Sequence, residues 1–295
     1  LGERISSSVK IIVKPTFLQP RGMLDLYQTM FRSLAFKSKC DILIDTYSNC
    51  VFPWTDICYI HFPYLNRYYF KPRFPYLKSP HLAQVVGVPY VLFEKNFENY
   101  NGKLLLANSY YTAEAIKEFS RTEAEVLYPP VPSTFFLKNS ENLNQHPRKN
   151  LVVTVSRFGV GKGLEKIPYI AKLTNRNINF AIIGLVHDKN VLRSVLRSIK
   201  KFGLTNRVKV FTNISKQDIK IILNSAKLYL HTTVGEHFGI SIVEAMAMGC
   251  LPIVHNSGGV KEFVPAQYGY GNLQDAARKI ETATYEWTPE KAKKM

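Results

Sequence analysis

From about residue 149 onward, short runs that are apolar throughout alternate with longer stretches in which apolar residues return every three or four positions. The short runs are Leu151–Ser156, Asn179–Ile183, Val208–Phe211, Leu228–His231 and Leu251–His255. The stretches between them, Leu164–Leu173, Lys189–Lys201, Lys216–Ser225 and Ile240–Met248, carry the helical period. Strands apolar on both faces and separated by helices predict a doubly wound parallel sheet. The first part of the chain is a more mixed α/β pattern. It offers strands at Val9–Val13, Asp41–Asp45, Ile57–Ile60 and Leu104–Ala107, and a short run at Glu125–Tyr128 that closes the segment. Met23–Phe36 has the spacing of an amphipathic helix, and Asn108–Thr112 reads as the cap of a helix over Ala113–Phe119. The proline-rich run Tyr128–Pro132 is a stiff connection and marks a boundary. The pattern thus predicts two α/β domains, 1–131 and 132–295.

Composition narrows the function classes. The 295 residues are 46% hydrophobic and 21% charged, which describes a globular chain able to bury a core. A net charge of +17 calls for an anionic partner: nucleic acid, a membrane surface or a phosphorylated substrate. No helix-turn-helix, zinc spacing or RNP-like strand is present, so nucleic acid is not expected. Cys40, Cys50, Cys58 and Cys250 have no CxxC spacing, which argues against zinc and against a disulfide framework and suits a reducing compartment. No apolar run reaches membrane-spanning length and no signal peptide is visible. The tract Tyr59–Leu82 interleaves aromatic and basic residues, with prolines that forbid one continuous helix. Such residues suit a membrane interface, and peripheral binding to anionic lipid is the expectation.

Ligands of doubly wound sheets bind beyond the carboxyl ends of the strands, near the point where strand order reverses. The residues just past the predicted strands are His61 in the first domain, and Arg157, Gly184, Phe211, His231–Glu236 and Asn256–Lys261 in the second. The richest stretch is Thr232–Phe263, where Glu236 lies in a loop and Glu244 lies eight residues on, inside a helix opened by Phe238-Gly239-Ile240-Ser241. Free N–H groups and the positive dipole end at that helix start make an anion site. The helix is apolar nearly all round, so its glutamate should be buried and needs a partner or a ligand. Carboxylates beside a phosphate site suit sugar hydroxyls, and the combination asks for a sugar nucleotide. Gly159–Gly163 lacks the Ser or Thr that a phosphate loop needs after its lysine. Arg157 and Lys162 nonetheless suit a pyrophosphate. His231, directly after an apolar strand, reads as structural.

The phrase EHFGISIVEAMAMGCLPIVHNSGG, with its acids eight apart, resembles the donor-site signature of glycosyltransferase family 4, the retaining enzymes of the GT-B fold. With DILIDTYSN and DICYIHFPYL upstream, the chain is also similar to the α-1,2-mannosyltransferases of lipid-linked oligosaccharide assembly. The likeness runs from Asp41 to Pro265 and is thinnest over Asn66–Leu104. It implies two Rossmann-like doubly wound domains facing across a cleft. The N-terminal domain would be incomplete, since the chain opens at Leu1 where a first strand and glycine-rich loop should precede it. It further implies metal-independent, retaining transfer of a hexose, mannose above all, from a nucleoside-diphosphate sugar such as GDP-mannose to a dolichol-linked glycan at the cytosolic face of a membrane. A UDP-sugar with a different acceptor, or a non-catalytic sugar-nucleotide- or nucleic-acid-binding role, are the alternatives. The implied catalytic set is Glu236 on the donor sugar, His61 facing it from the first domain, and Arg157 with Lys162 on the diphosphate. Donor binding falls to Glu244 on the ribose, Phe211 and Ile214 near the base, and Gly184, Phe238, Gly239 and Ile240. Gly258 and Gly259 would leave room for the sugar.

Overall fold

The structure, a computed structural model, describes residues 31–46, 52, 54–63, 103–132, 135 and 147–295. The strand expected at Val9–Val13, most of the Met23–Phe36 helix and the tract from Tyr64 to Leu82 lie outside the described residues. The chain divides into two compact units, Leu1–Tyr128 and Pro129–Met295, the division falling inside the proline-rich run.

In the first unit, residues 31–37 are helical. Four short strands follow: β1 (Ile44–Asp45), β2 (Ile57–Ile60), β3 (Leu104–Ala107) and β4 (Glu125–Val126). They pair in that order and all in parallel. Helix α1 (Tyr110–Ser120) connects β3 to β4. It starts at Ser109, whose hydroxyl accepts from the Thr112 N–H at 3.1 Å. Cys58, Ile60, Leu105, Ala107 and Ile116 form the core of this unit.

The second unit holds β5 (Lys149–Val155), β6 (Asn179–Gly184), β7 (Val208–Thr212), β8 (Ala226–His231), β9 (Leu251–His255) and β10 (Gly269–Tyr270). Between and after them come α2 (Ile167–Leu173), α3 (Lys189–Lys201), α4 (Lys216–Ser225), α5 (Ile240–Ala247), α6 (Leu273–Glu286) and α7 (Pro289–Lys293). A 3₁₀ turn, Leu164–Lys166, leads into α2. Helix α3 buries Val191, Val195 and Ile199 on one stripe, and α4 opens with a Ser215–Asp218 capping box. The all-parallel sheet has the order β10-β9-β8-β5-β6-β7. The chain therefore builds outward from β5 to β7, then returns to the other side of β5 and builds outward again. That is the Rossmann order, and its reversal lies between β5 and β8.

Candidate functional site

Two loops meet where the strand order reverses. One runs from Ser156 to Gly163 after β5, the other from Thr232 to Gly239 after β8. The Thr232 hydroxyl donates to the Lys162 carbonyl at 2.8 Å and ties the loops together. Lys162 Nζ then stands 3.1 Å from Glu236 Oε2. The last residue of β8, His231, brings Nε2 to 3.0 Å from the same oxygen. The Glu236 side chain is 16% exposed and that of His231 only 4%. Burial by itself would raise the Glu236 carboxyl. The His231 hydrogen bond and the charges of His231 and Lys162 outweigh it and hold the group well below the usual carboxylate range. Glu236 is thus an anion at neutral pH. Both contacts fall on Oε2, and Oε1 has no hydrogen bond among the described residues.

The backbone behind Glu236 is braced by the loop after β9. Gly235 N–H donates to Ser257 Oγ at 2.8 Å, and Gly259 N–H donates to the Glu236 carbonyl at 2.9 Å. A Cβ on Gly258, whose φ is +84°, would lie 2.3 Å from that carbonyl oxygen. Gly258 thus makes room for the Glu236 backbone. Gly184 has a similar part at the end of β6, where a Cβ would sit 1.8 Å from the Ser156 carbonyl oxygen. Removing that side chain lets the ends of β5 and β6 close together.

Helix α5 begins beside Glu236. Its N-cap Gly239 supplies no side-chain bond, and the N–H groups of Gly239, Ile240 and Ser241 meet no acceptor among the described residues. Three donors at the positive end of a helix form an anion site. Glu244 lies one turn further on, half-buried and without a side-chain hydrogen bond among the described residues. Burial raises its carboxyl, and the Lys216 and Lys220 charges oppose that shift. Tyr229, fully buried on β8, links these parts: its hydroxyl donates to the Val155 carbonyl at 3.0 Å and meets Ser241 Oγ at 2.9 Å. Burial pushes the phenol up, and its bonds to Ser241 and Val155 only partly oppose that.

The remaining candidates are scattered more widely. Arg157 follows β5 but is exposed and makes no bond among the described residues. The Phe238 ring is 7% exposed and packs on Phe263 at 5.1 Å, so it props the loop and offers a ligand only its backbone. Ile240 is 41% exposed at the helix start. Phe211 and Ile214 lie half-buried at the end of β7, two strands from β5, packed on the core. His61 belongs to the first unit, where its ring meets Tyr59 edge-on at 5.0 Å and its carbonyl accepts from Thr112 Oγ1 at 3.2 Å. Pattern reasoning missed Tyr229 and set His231 aside, since both look like ordinary strand residues. Among the described residues no group of three His, Cys, Asp or Glu is arranged to hold a metal ion, and no helix is long and apolar enough to cross a membrane.

Similarity to known proteins points the same way. The chain is 32% identical over 150 residues to the GDP-Man:Man(3)GlcNAc(2)-PP-Dol alpha-1,2-mannosyltransferase of Candida albicans, covering 46% of this chain and 24% of that protein. It is 24% identical over 241 residues to the protein of the same name from Dictyostelium discoideum, covering 70% and 47%. The human protein of that name is 28% identical over 199 residues, covering 62% and 40%. The chain thus spans less than half the length of these relatives. Among solved structures, WaaG, a glycosyltransferase involved in lipopolysaccharide biosynthesis, superposes with a TM-score of 0.69 at 15% identity, over 92% of this chain and 76% of that one. Sucrose-phosphate synthase from Thermosynechococcus elongatus gives 0.68 at 16%, over 92% and 71%. These likenesses identify the fold as GT-B, with two Rossmann-like domains. The model of the family described as Glycosyl transferases group 1 matches residues 136–292, which is more than half of the chain and takes in every strand of the second sheet and the whole Lys162–Glu236–His231 cluster, and the chain belongs to that family.

Proposed function

We propose that this protein is a retaining glycosyltransferase that moves a hexose, mannose first among candidates, from a nucleoside-diphosphate sugar to a lipid-linked glycan at the cytosolic face of a membrane. The observation that carries the reading is the Lys162–Glu236–His231 cluster at the strand reversal, beside three N–H groups of the α5 start that meet no acceptor among the described residues. A diphosphate on those N–H groups would have Lys162 within reach, and Glu236 Oε1 would face the sugar hydroxyls. Glu244, without a side-chain hydrogen bond among the described residues, suits the ribose hydroxyls. Arg157, exposed and unbound among the described residues, is a second cation for the diphosphate. As the sugar C1–O bond breaks, charge builds on the departing phosphate, where preorganised donors and a cation lower the barrier most. The acceptor hydroxyl attacks C1 from the leaving-group face and gives its proton to the departing phosphate oxygen. These groups neutralise the leaving group without a metal, so chelation with EDTA leaves turnover unchanged.

The choice of GDP-mannose and a dolichol-linked acceptor rests on the names of the relatives. The net charge of +17 supports peripheral binding to an anionic membrane. A thermal-shift screen against GDP-, UDP- and ADP-sugars, followed by transfer of labelled mannose to a dolichol-diphosphate glycan, tests the reading. Stabilisation by GDP-mannose with label in the lipid fraction is the expected result. Stabilisation by UDP-sugars alone would replace the donor, binding without turnover would remove the enzyme, and no stabilisation at all would end the proposal.

A further inference from the structure

We infer that His231 is a positioning residue of the donor site, which keeps Glu236 aimed while Lys162 is drawn to the diphosphate. The inference rests on the donor-site reading above. Its starting point is an imbalance in the imidazole. Nε2 is 3.0 Å from Glu236 Oε2, whereas Nδ1 is buried with no hydrogen-bond partner among the described residues. A ring retained only to fill space has no reason to orphan a buried nitrogen, which costs about 1–3 kcal/mol. The one side-chain hydrogen bond that the ring makes among the described residues is directed at the Glu236 carboxylate. The pattern assigns the shared proton to Nε2, because the neighbouring carboxylate can only accept.

The ring is also held from several sides. The His231 carbonyl accepts from the Tyr270 hydroxyl at 3.0 Å, and the ring lies parallel to that of Tyr229, 6.5 Å between centroids. Tyr229 is in turn fixed to the ends of β5 and α5. Lys162 is a different kind of holder. Its side chain is 27% exposed, flexible, and on the loop where a diphosphate would sit. A diphosphate competes with Glu236 for that ammonium, and every turnover would then loosen the carboxylate at the moment it is needed. His231, 4% exposed behind Glu236, is shielded from that competition. It retains Oε2 and leaves Oε1 to the sugar.

The test compares His231→Leu, which keeps bulk and loses the donor, with His231→Gln, which presents an amide N–H at a similar reach. Titration calorimetry with GDP and with GDP-mannose separates the diphosphate from the sugar, and initial rates give kcat and KM. For His231→Leu, GDP affinity stays within about threefold of wild type, the added affinity of GDP-mannose over GDP is lost, and kcat falls roughly 10- to 100-fold, the scale of a misaimed group. His231→Gln recovers at least tenfold of the lost kcat. If Gln is no better than Leu, or if GDP affinity and Tm fall together with kcat, the role is structural and the inference is overturned. Should His231→Leu not fold, His231→Asn takes its place, since its shorter amide cannot reach Glu236, and equal kcat in the Asn and Gln variants overturns the inference. Lys162→Ala is the control for the underlying reading. If it leaves GDP affinity intact, the donor site itself is misassigned; if it weakens GDP while His231→Leu behaves as wild type, only the role of His231 falls.

Discussion

The two ends of the second sheet handle cations in opposite ways. At the amino end, Arg148 is buried just ahead of β5. Its Nη1 donates to the Leu223 and Ala226 carbonyls at 3.2 and 2.6 Å, its Nη2 to the Met248 carbonyl at 2.6 Å, and the guanidinium lies 5.4 Å from the Trp287 ring centre. Leu223 and Met248 lie at the carboxyl ends of α4 and α5, where the dipole is negative, and the arginine adds to the Ala226 N–H already bonded to the Leu223 carbonyl. One arginine therefore finishes two helices at once. At the carboxyl end, Lys162 meets an acid that keeps one oxygen open, next to three N–H groups with no acceptor among the described residues. At the amino end both Nη groups of the cation are taken by carbonyls of the fold, and only Nε lacks a partner among the described residues. At the carboxyl end several donors and a carboxylate oxygen are left over together, and there a ligand completes them.

The largest expected effects test that division directly. Lys162→Ala and Glu236→Gln should each lower the initial rate of sugar transfer about 10²–10³-fold, the usual cost of one preorganised donor or charge at a leaving group, with Tm within a few degrees of wild type. Arg148→Met should do the reverse. It takes the donor from the Met248 carbonyl and the guanidinium bonds from the Leu223 and Ala226 carbonyls, and should cost about 3 kcal/mol, read as a fall in Tm of roughly 6–12 °C, while kcat of the folded protein at low temperature stays within about threefold. If Lys162→Ala destabilises more than Arg148→Met and turnover survives, the contrast between the two ends is void.

How much of this was legible beforehand follows the same division. β2, β9, α3 and α4 fall where the pattern puts them, because strands buried on both faces and helices with one apolar stripe write their period into the chain. β10 is two residues long, too short to hold a period. The buried face of α6 is Ala276, Ala277, Ile280, Ala283 and Thr284, small side chains that contrast weakly with their polar neighbours. Within the site, Glu236, Glu244 and Lys162 stand out as charges in apolar or glycine-rich surroundings. His231 does not, since its contact depends on a loop folding Glu236 back over five residues. Arg148 lies among other basic residues, and only the assembled helix ends explain it. Phe238 shows what a pattern leaves open: a residue in a ligand-facing loop can turn its own side chain inward.

A smaller effect sharpens the contrast inside the carboxyl end. Glu244 is half-buried, its carboxyl raised by burial and only partly relieved by Lys216 and Lys220. A charge kept in such a place, without a hydrogen bond among the described residues, weakens the free protein. Glu244→Gln should therefore raise the Tm of the ligand-free protein by about 1–3 °C and weaken GDP binding roughly tenfold, the worth of a hydrogen bond to a charged group. Thermal shifts with and without GDP read both quantities. A lower Tm together with unchanged GDP binding would make Glu244 part of the architecture.

The smallest effect is a pH dependence, and it has opposite signs at the two glutamates. Glu236 is held below the ordinary carboxylate range in the folded protein. Above the unfolded value of about 4.3 both states are ionised, and its contribution to stability is complete. As the pH falls below that value the unfolded chain takes up a proton that the folded one refuses, and the contribution drains away. Wild type should thus be more stable than Glu236→Gln by a constant margin from pH 7.5 to 5.5, and the margin should shrink by about 0.5 kcal/mol between pH 5 and pH 4. Glu244, raised instead, binds its proton sooner in the folded state, so acidification relieves a penalty rather than removing a benefit. Wild type should start below Glu244→Gln and close on it as the pH falls toward the unfolded value, at higher pH than the loss at Glu236. Denaturant melts at four or five pH values, run on the three proteins side by side, give both curves. Two margins converging from opposite sides mean one acid is secured by the fold and the other waits for a ligand; two curves converging from the same side would put the glutamates in equivalent environments and cancel the distinction between them.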